Sequence, residues 1–219
     1  MQFRLGATLL VPGKNNKTWT GNVLIEEEMD FFKYKNKLKP TKGKILVSEP
    51  YLPDPNFERS IVLLCEHNEN GSFGFVLNKP SVASLADVMP ELSGLNTILF
   101  VGGPVQQDTL HYLHRCGELS GATQITDDVY WGGDFDNLKF LIGSGQIKPT
   151  EIKFFLGYSG WSEGQLDGEL EADTWIVSNR FNSELVFETD PKAMWKKSLE
   201  SMGGRFSVYS NYPVDPRMN

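Results

Sequence analysis

The chain is 219 residues long, with 40% hydrophobic, 12% aromatic and 22% charged residues, the profile of a folded protein with one substantial core. Nothing in it approaches the roughly 18 to 20 consecutive apolar residues of a membrane helix, and two cysteines, Cys65 and Cys116, are too few for a disulfide scaffold and too far apart for Cys-x-x-Cys metal or redox chemistry. The net charge of −7 is uneven: residues 29–44 carry six lysines against one acid (+5), whereas residues 45–219 carry 12 basic against 24 acidic side chains (−12). Such a body repels DNA at long range.

Residues 1–43 show no sustained hydrophobic period, and with Pro12, Gly13, Asn15, Asn16 and the run Glu26-Glu27-Glu28 they read as a weakly ordered tail. The first 11 residues have one arginine and a brief apolar run without a small-residue cleavage site, so no signal peptide is expected and a reducing cytoplasm is the default compartment. Met29 is an alternative natural start. The lysines from Lys33 to Lys44 lack the period of a recognition helix and read as a solvated lead-in.

Residues 44–219 are expected to form a single domain. Within it, 45–48, 60–66 and 72–77 are predicted strands; Asn70-Gly71 readily adopts the positive φ of a tight turn, so the second and third are expected to pair as an antiparallel hairpin. Residues 98–101 form a strand ended by Gly102-Gly103-Pro104, 109–115 alternate as a strand, and 129–131 form a short one. Asp134 caps a helix that stops at Gly143. A buried strand is predicted at 152–158, a short helix at 162–170, and strands at 174–177 and 185–187. The last helix has Asp190 as its cap, Pro191 in its first turn and Gly203-Gly204 at its end. Strands and helices mix without a regular βαβ repeat, which predicts an α+β protein.

Several motifs admit both a chemical and a structural reading. The stretch Gly157-Tyr158-Ser159-Gly160-Trp161 reads as a strand running into a turn and then a helix, the setting of a nucleophile elbow. The fifth position of G-x-S-x-G is Trp161, however, and His67, His111 and His114 all precede Ser159, against the order of that hydrolase fold. Ser159 then reads as a turn hydroxyl capping the next helix, and Trp161 as a core anchor whose indole N–H finds a backbone acceptor. Gly132-Gly133-Asp134-Phe135 resembles the diguanylate cyclase signature over four residues only, and a helix cap accounts for Asp134. His111 and His114 on a strand point to opposite faces, which disfavours a shared metal. Cys65 reads as a buried, inert thiol and Cys116, beside His114 and Arg115, as the more reactive of the two.

Three segments together carry a resemblance: Arg59-Ser60-Ile61-Val62-Leu63-Leu64-Cys65-Glu66-His67 with Gly74-Phe75-Val76-Leu77-Asn78-Lys79-Pro80; then Gly102-Gly103-Pro104-Val105; then 155–166. With Ser48-Glu49-Pro50 and Gly132-Gly133-Asp134, they resemble the YqgE/AlgH family of bacterial proteins from about Gly43 onward. The resemblance implies an α+β fold with a small closed β-barrel and a branching mixed sheet surrounded by helices. It implies no cofactor and no catalytic residues, and one branch of the family is named as a regulator of transcription for alginate production.

The leading functional reading is a cytoplasmic, non-enzymatic regulatory or binding module. Its surface is expected to use Asn78, Lys79, Tyr158, Ser159, Trp161 and Gln165. The expected partner is a protein or small molecule of unknown identity, with no cofactor, no metal, no membrane and no DNA. A transcriptional regulator and an enzyme of unknown type are the alternatives.

Overall fold

A computed structural model describes residues 38–214 apart from Ser93 and Asn96. The tail reading for residues 1–37, the alternative start at Met29 and most of the basic segment lie outside the described residues. Of the remainder of that segment, Pro40 is buried, Leu38 packs against a core cluster, and the Gly43 amide donates to Leu64 O at 2.8 Å.

Among the described residues nine strands build the sheet: β1 (Ile45–Ser48), β2 (Ile61–Asn68), β3 (Gly71–Val76), β4 (Leu99–Val101), β5 (Val105–His114), β6 (Thr123–Thr126), β7 (Val129–Trp131), β8 (Ile152–Ser162) and β9 (Trp175–Ser178). Their order is β6-β7-β5-β8-β3-β2-β1-β9, all antiparallel, and β4 lies parallel to β8 off this path. The apolar run of β1 is buried at every position because β2 and β9 flank it and both of its faces are covered. The expected hairpin of β2 and β3 is present, with Leu63 opposite Phe75 and Asn68 opposite Gly71.

The sheet branches at β8. Its residues 154–156 pair with β5 on one edge and β4 on the other, and further along that second edge Ser159–Ser162 pair with β3. Gly102 sits in the fork, donating to Leu156 O and accepting from the Val76 amide, both at 2.8 Å. A Cβ on Gly102 would lie 2.3 Å from Gly157 O, so no other residue fits there without moving the backbone. The branching mixed sheet is therefore present, but the expected closed barrel is not. Closure needs the two end strands to pair, and β6 and β9 stand at opposite ends of the order with no ladder joining them among the described residues.

Six α-helices are present among the described residues: α1 (Leu85–Val88), α2 (Phe135–Gly143), α3 (Gln165–Glu171), α4 (Ser183–Phe187), α5 (Pro191–Met202) and α6 (Arg205–Tyr209). Asp134 and Asp190 cap α2 and α5 as expected, accepting from the amides of Asn137 and Lys192. None of these helices is long and apolar enough to cross a membrane. One buried cluster gathers Leu85, Leu99, Tyr112, Leu138 and Phe154, and another gathers Leu46, Val62, Val76, Trp161 and Trp175.

Two predicted elements are corrected. The strand expected at 185–187 is helix α4, because the Asn182 side chain accepts from the Leu185 amide at 3.1 Å and starts a helical turn that outweighs the β preference of Val186 and Phe187. The turn expected at 158–161 is strand. Gly157, at φ +63°, turns the backbone of β8 without ending it; opposite it β5 loops out residues 106–109, and pairing resumes with Tyr158 opposite Val105. Strand β6 and helices α1 and α6 had no expectation in the sequence.

Candidate functional site

The irregular pairing of β5 with β8 at Gly157 determines what the site is made of. Side chains alternate along a strand, so Phe155 and Tyr158 would face opposite ways in a regular β8. The left-handed backbone at Gly157, φ +63°, interrupts that alternation where β5 loops out residues 106–109 against it, and brings the two rings to one face: Phe75 stacks on Phe155 with centroids 5.0 Å apart, and Phe73, its neighbour on that face, meets Tyr158 edge-on at 6.1 Å. From β5, His111 lies 5.8 Å from Tyr158, and Trp131 at the end of β7 lies 4.8 Å from Phe73 and 6.3 Å from His111. Phe73, His111, Trp131 and Tyr158, four rings from four strands, thus make one continuous wall.

This wall borders an open cleft of about 550 Å³ whose rim carries Glu66, Asn68, Asn70 and Ser72 from the β2–β3 hairpin. Gly160 lies directly across from Phe73 and lines the cleft; the nearest atoms to a Cβ there would be the Tyr158 ring edge at 3.1 Å and Val105 Cγ2 at 3.7 Å, side chains and not backbone. The Asn68 side-chain amide donates to Glu66 Oε1, and the Asn68 oxygen accepts from the Asn70 amide at 2.9 Å. Ser72 Oγ is held 2.7 Å from His67 Nδ1.

The protonation of His111 follows from its neighbour. Thr109 Oγ1 donates its single proton to Gln106 O at 2.7 Å, so the 2.9 Å contact with His111 Nε2 is a bond in which the ring N–H donates. Burial lowers the His111 pKa, keeping the ring neutral at physiological pH. The wall therefore carries no positive charge.

The six residues singled out in the sequence separate here. Tyr158 forms part of the wall and Trp161 borders the cleft. The Trp161 indole is also a core anchor, 5% exposed, but its N–H acceptor is the Glu169 carboxylate at 2.9 Å and not the backbone. Ser159 is fully buried and donates to Gly102 O at 3.0 Å, so it bridges the fork of the sheet and does not cap a helix. Asn78 accepts from the Ile61 amide at 3.0 Å and donates to Arg59 O at 2.8 Å, clasping the end of β3 to the start of β2. Lys79 reaches Pro55 O at 3.5 Å. Gln165 accepts from Ser162 and donates to Glu169 Oε1 at 3.0 Å, holding the turn into α3. None of these last four lines the cleft.

The other motifs have structural accounts. His111 and His114 do point apart: His114 is fully buried and its Nε2 donates to Gly132 O at 2.8 Å, while Tyr112 Oη donates to Gly133 O at 2.7 Å, so the Gly132-Gly133 turn is pinned from β5. Among the described residues no group of three or more His, Cys, Asp or Glu could hold a metal. Burial raises the Cys65 thiol far above its ordinary value, consistent with an inert group; Cys116 is half-buried and unbridged. Lys153 is buried, with Nζ donating to Leu77 O at 2.7 Å and Val186 O at 3.1 Å and lying 3.8 Å from the Phe100 ring centroid, and desolvation pushes its pKa down to about 7. It staples α4 to the residue after β3.

An open, branched α+β sheet with an aromatic cleft beside the irregular β5–β8 pairing defines the class of protein. The AlgH-like family model matches residues 45–207, and the chain belongs to this YqgE/AlgH family. A UPF0301 protein of Cytophaga hutchinsonii is 52% identical over 181 residues, covering 82% of this chain and 99% of the relative. One from Bacteroides thetaiotaomicron is 42% identical, covering 88% and 98%. The solution structure of the AlgH protein from Pseudomonas aeruginosa matches with a TM-score of 0.63 and 29% identity over 81% of this chain and 98% of that one. A crystal structure from Corynebacterium diphtheriae, at 23% identity and TM-score 0.67 over 81% and 95%, shares the fold.

Proposed function

We propose that this chain is a non-enzymatic, cytoplasmic regulatory module that works by binding, and that its binding site is the aromatic cleft. One observation carries the reading: four rings converge on an open concavity in a strongly acidic body. Recognition sites are characteristically concave and apolar with a few placed polar groups, and here the hairpin rim supplies those groups. Two unbridged cysteines accord with a reducing compartment. The partner is a small molecule or a segment of another protein; a body at −12 is a poor match for DNA.

A thermal-shift screen on the full chain and on Gly160→Val in parallel tests this. Valine suits a strand and projects into the cleft beside Tyr158. Compounds that bind the native cleft are expected to raise the wild-type Tm and leave the variant unmoved. Hits that stabilise both equally would place binding elsewhere and refute the site.

A further inference from the structure

We infer that the occupant of the cleft is an organic cation, namely the guanidinium of an arginine presented by a peptide segment of a partner protein. This rests on the reading of the cleft as a binding site and adds the chemistry of the ligand.

Three features of the site converge on that chemistry. Among the described residues, Glu66 is the one charged side chain that lines the cleft, and no lysine or arginine lines it. The body around it carries twice as many acids as bases, so its field concentrates cations at the surface and repels anions. Phe73, Trp131 and Tyr158 line the cleft at mutually inclined angles, and the negative quadrupole of an aromatic face attracts a cation within about 6 Å. Neutral His111 does not oppose this.

The rim then selects among cations. A quaternary ammonium has no N–H to give, whereas the hairpin offers a carboxylate at Glu66 and side-chain carbonyls at Asn68 and Asn70. Asn68 holds one Glu66 oxygen by its own amide, which fixes the direction of the carboxylate. A guanidinium stacks flat on an aromatic face while its in-plane donors reach such acceptors, and it is more weakly hydrated than the ammonium of lysine. Gly160 adds no side chain beside Tyr158, where the flat group can lie.

The test is an NMR titration of the ¹⁵N-labelled full chain with a capped peptide containing two arginines, and with matched peptides carrying citrulline or lysine instead. Citrulline keeps the planar shape and removes the charge. The arginine peptide is expected to move the Trp131 indole and Gly160 amide peaks, with the citrulline peptide about tenfold weaker and lysine between them. Glu66→Gln is expected to weaken arginine binding about two- to fivefold, as for a solvent-screened ion pair, without changing citrulline binding. Gly160→Val is expected to abolish both.

Equal binding of citrulline and arginine would overturn the cation while leaving the cleft as a binding site. Arginine binding that leaves Trp131 and Gly160 unmoved, or survives Gly160→Val, would reduce to attraction by the acidic surface and overturn the inference. Peaks that stay still at millimolar peptide would overturn it too, with the cleft itself then decided by the compound screen.

Discussion

Glu169 ties together the most distinctive residues of the chain, and replacing it tests whether they are scaffold. Its Oε2 accepts from two indoles, Trp161 at 2.9 Å and Trp175 at 2.7 Å, and its Oε1 accepts from Gln165 at 3.0 Å. Both tryptophans are buried, at 5% and 1% exposure. Glu169→Leu removes this acceptor from both, and an unsatisfied buried donor costs about 1–3 kcal/mol. Because Glu169 is half-buried, water relieves part of that, and a loss of about 3 kcal/mol is expected. Glu169→Gln keeps a carbonyl oxygen for the indoles but turns an amide NH₂ toward the Gln165 donor, so it is expected to cost about 1 kcal/mol. Urea unfolding followed by tryptophan fluorescence separates the two. With an m-value of about 2 kcal/mol/M, Glu169→Leu moves the midpoint by about 1.5 M and Glu169→Gln by about 0.5 M. A Glu169→Leu midpoint within about 0.3 M of wild type, or a Glu169→Gln variant as damaged as Glu169→Leu, would refute the carboxylate as the organiser of the two indoles.

Trp161→Ala is expected to cost about 3–5 kcal/mol through the cavity it opens among Leu46, Val62 and Trp175, against about 1 kcal/mol for Ser159→Ala; equal costs in urea melts would contradict the packing described. Lys153 titrates near pH 7 in the fold and near 10.5 when unfolded, so between those values the unfolded chain binds more protons and stability rises with pH, while below about 7 the full burial penalty is present. Wild type is therefore expected to gain on Lys153→Met by up to about 1.4 kcal/mol per pH unit across that window, and a difference constant from about pH 6 to 10 would show that Lys153 stays charged. Fluorescence anisotropy at about 0.15 M salt is expected to show no sequence-specific duplex binding; sub-micromolar, sequence-dependent affinity would favour a direct role in transcription.

Much of the fold is legible because local signals and burial agree. The apolar runs of β1 and β2 and the Asp134 and Asp190 caps each act within a few residues, and the structure has each in place; the hairpin of β2 and β3 also forms, but its turn residues are Glu69 and Asn70, with Gly71 already the first residue of β3. The failures occur where a local signal has two outcomes. Leu185-Val186-Phe187 suits a strand by residue type, and the Asn182 cap decides for helix. Barrel closure concerns the two ends of the strand order, β6 and β9, which are some 50 residues apart in sequence and follow no local rule. β6 itself reads Thr123-Gln124-Ile125-Thr126, with a single buried residue, too weak a pattern to stand out.

The cleft was half legible for a more specific reason. Tyr158 and Trp161 attract notice because aromatic residues flank a Gly-Ser-Gly stretch, but they sit on opposite sides of the sheet, one in the wall and the other with its indole in the core. Their partners come from elsewhere: Phe73 from a hairpin, His111 from the middle of a long strand, and Trp131 from the end of a three-residue one. A period of two along β8 places Tyr158 opposite to Phe155, and only the left-handed residue at Gly157 brings them to one face. Glycine in such a strand is equally a sign of a turn, so its residue type alone does not choose between ending the strand and turning its backbone within it. Non-local backbone packs against Gly157: a Cβ there would lie 2.5 Å from Val105 O, and one on Gly102 would lie 2.3 Å from Gly157 O. The glycine pair that reads as a terminator after β4 is thus also what allows β8 to continue and the aromatic wall to form.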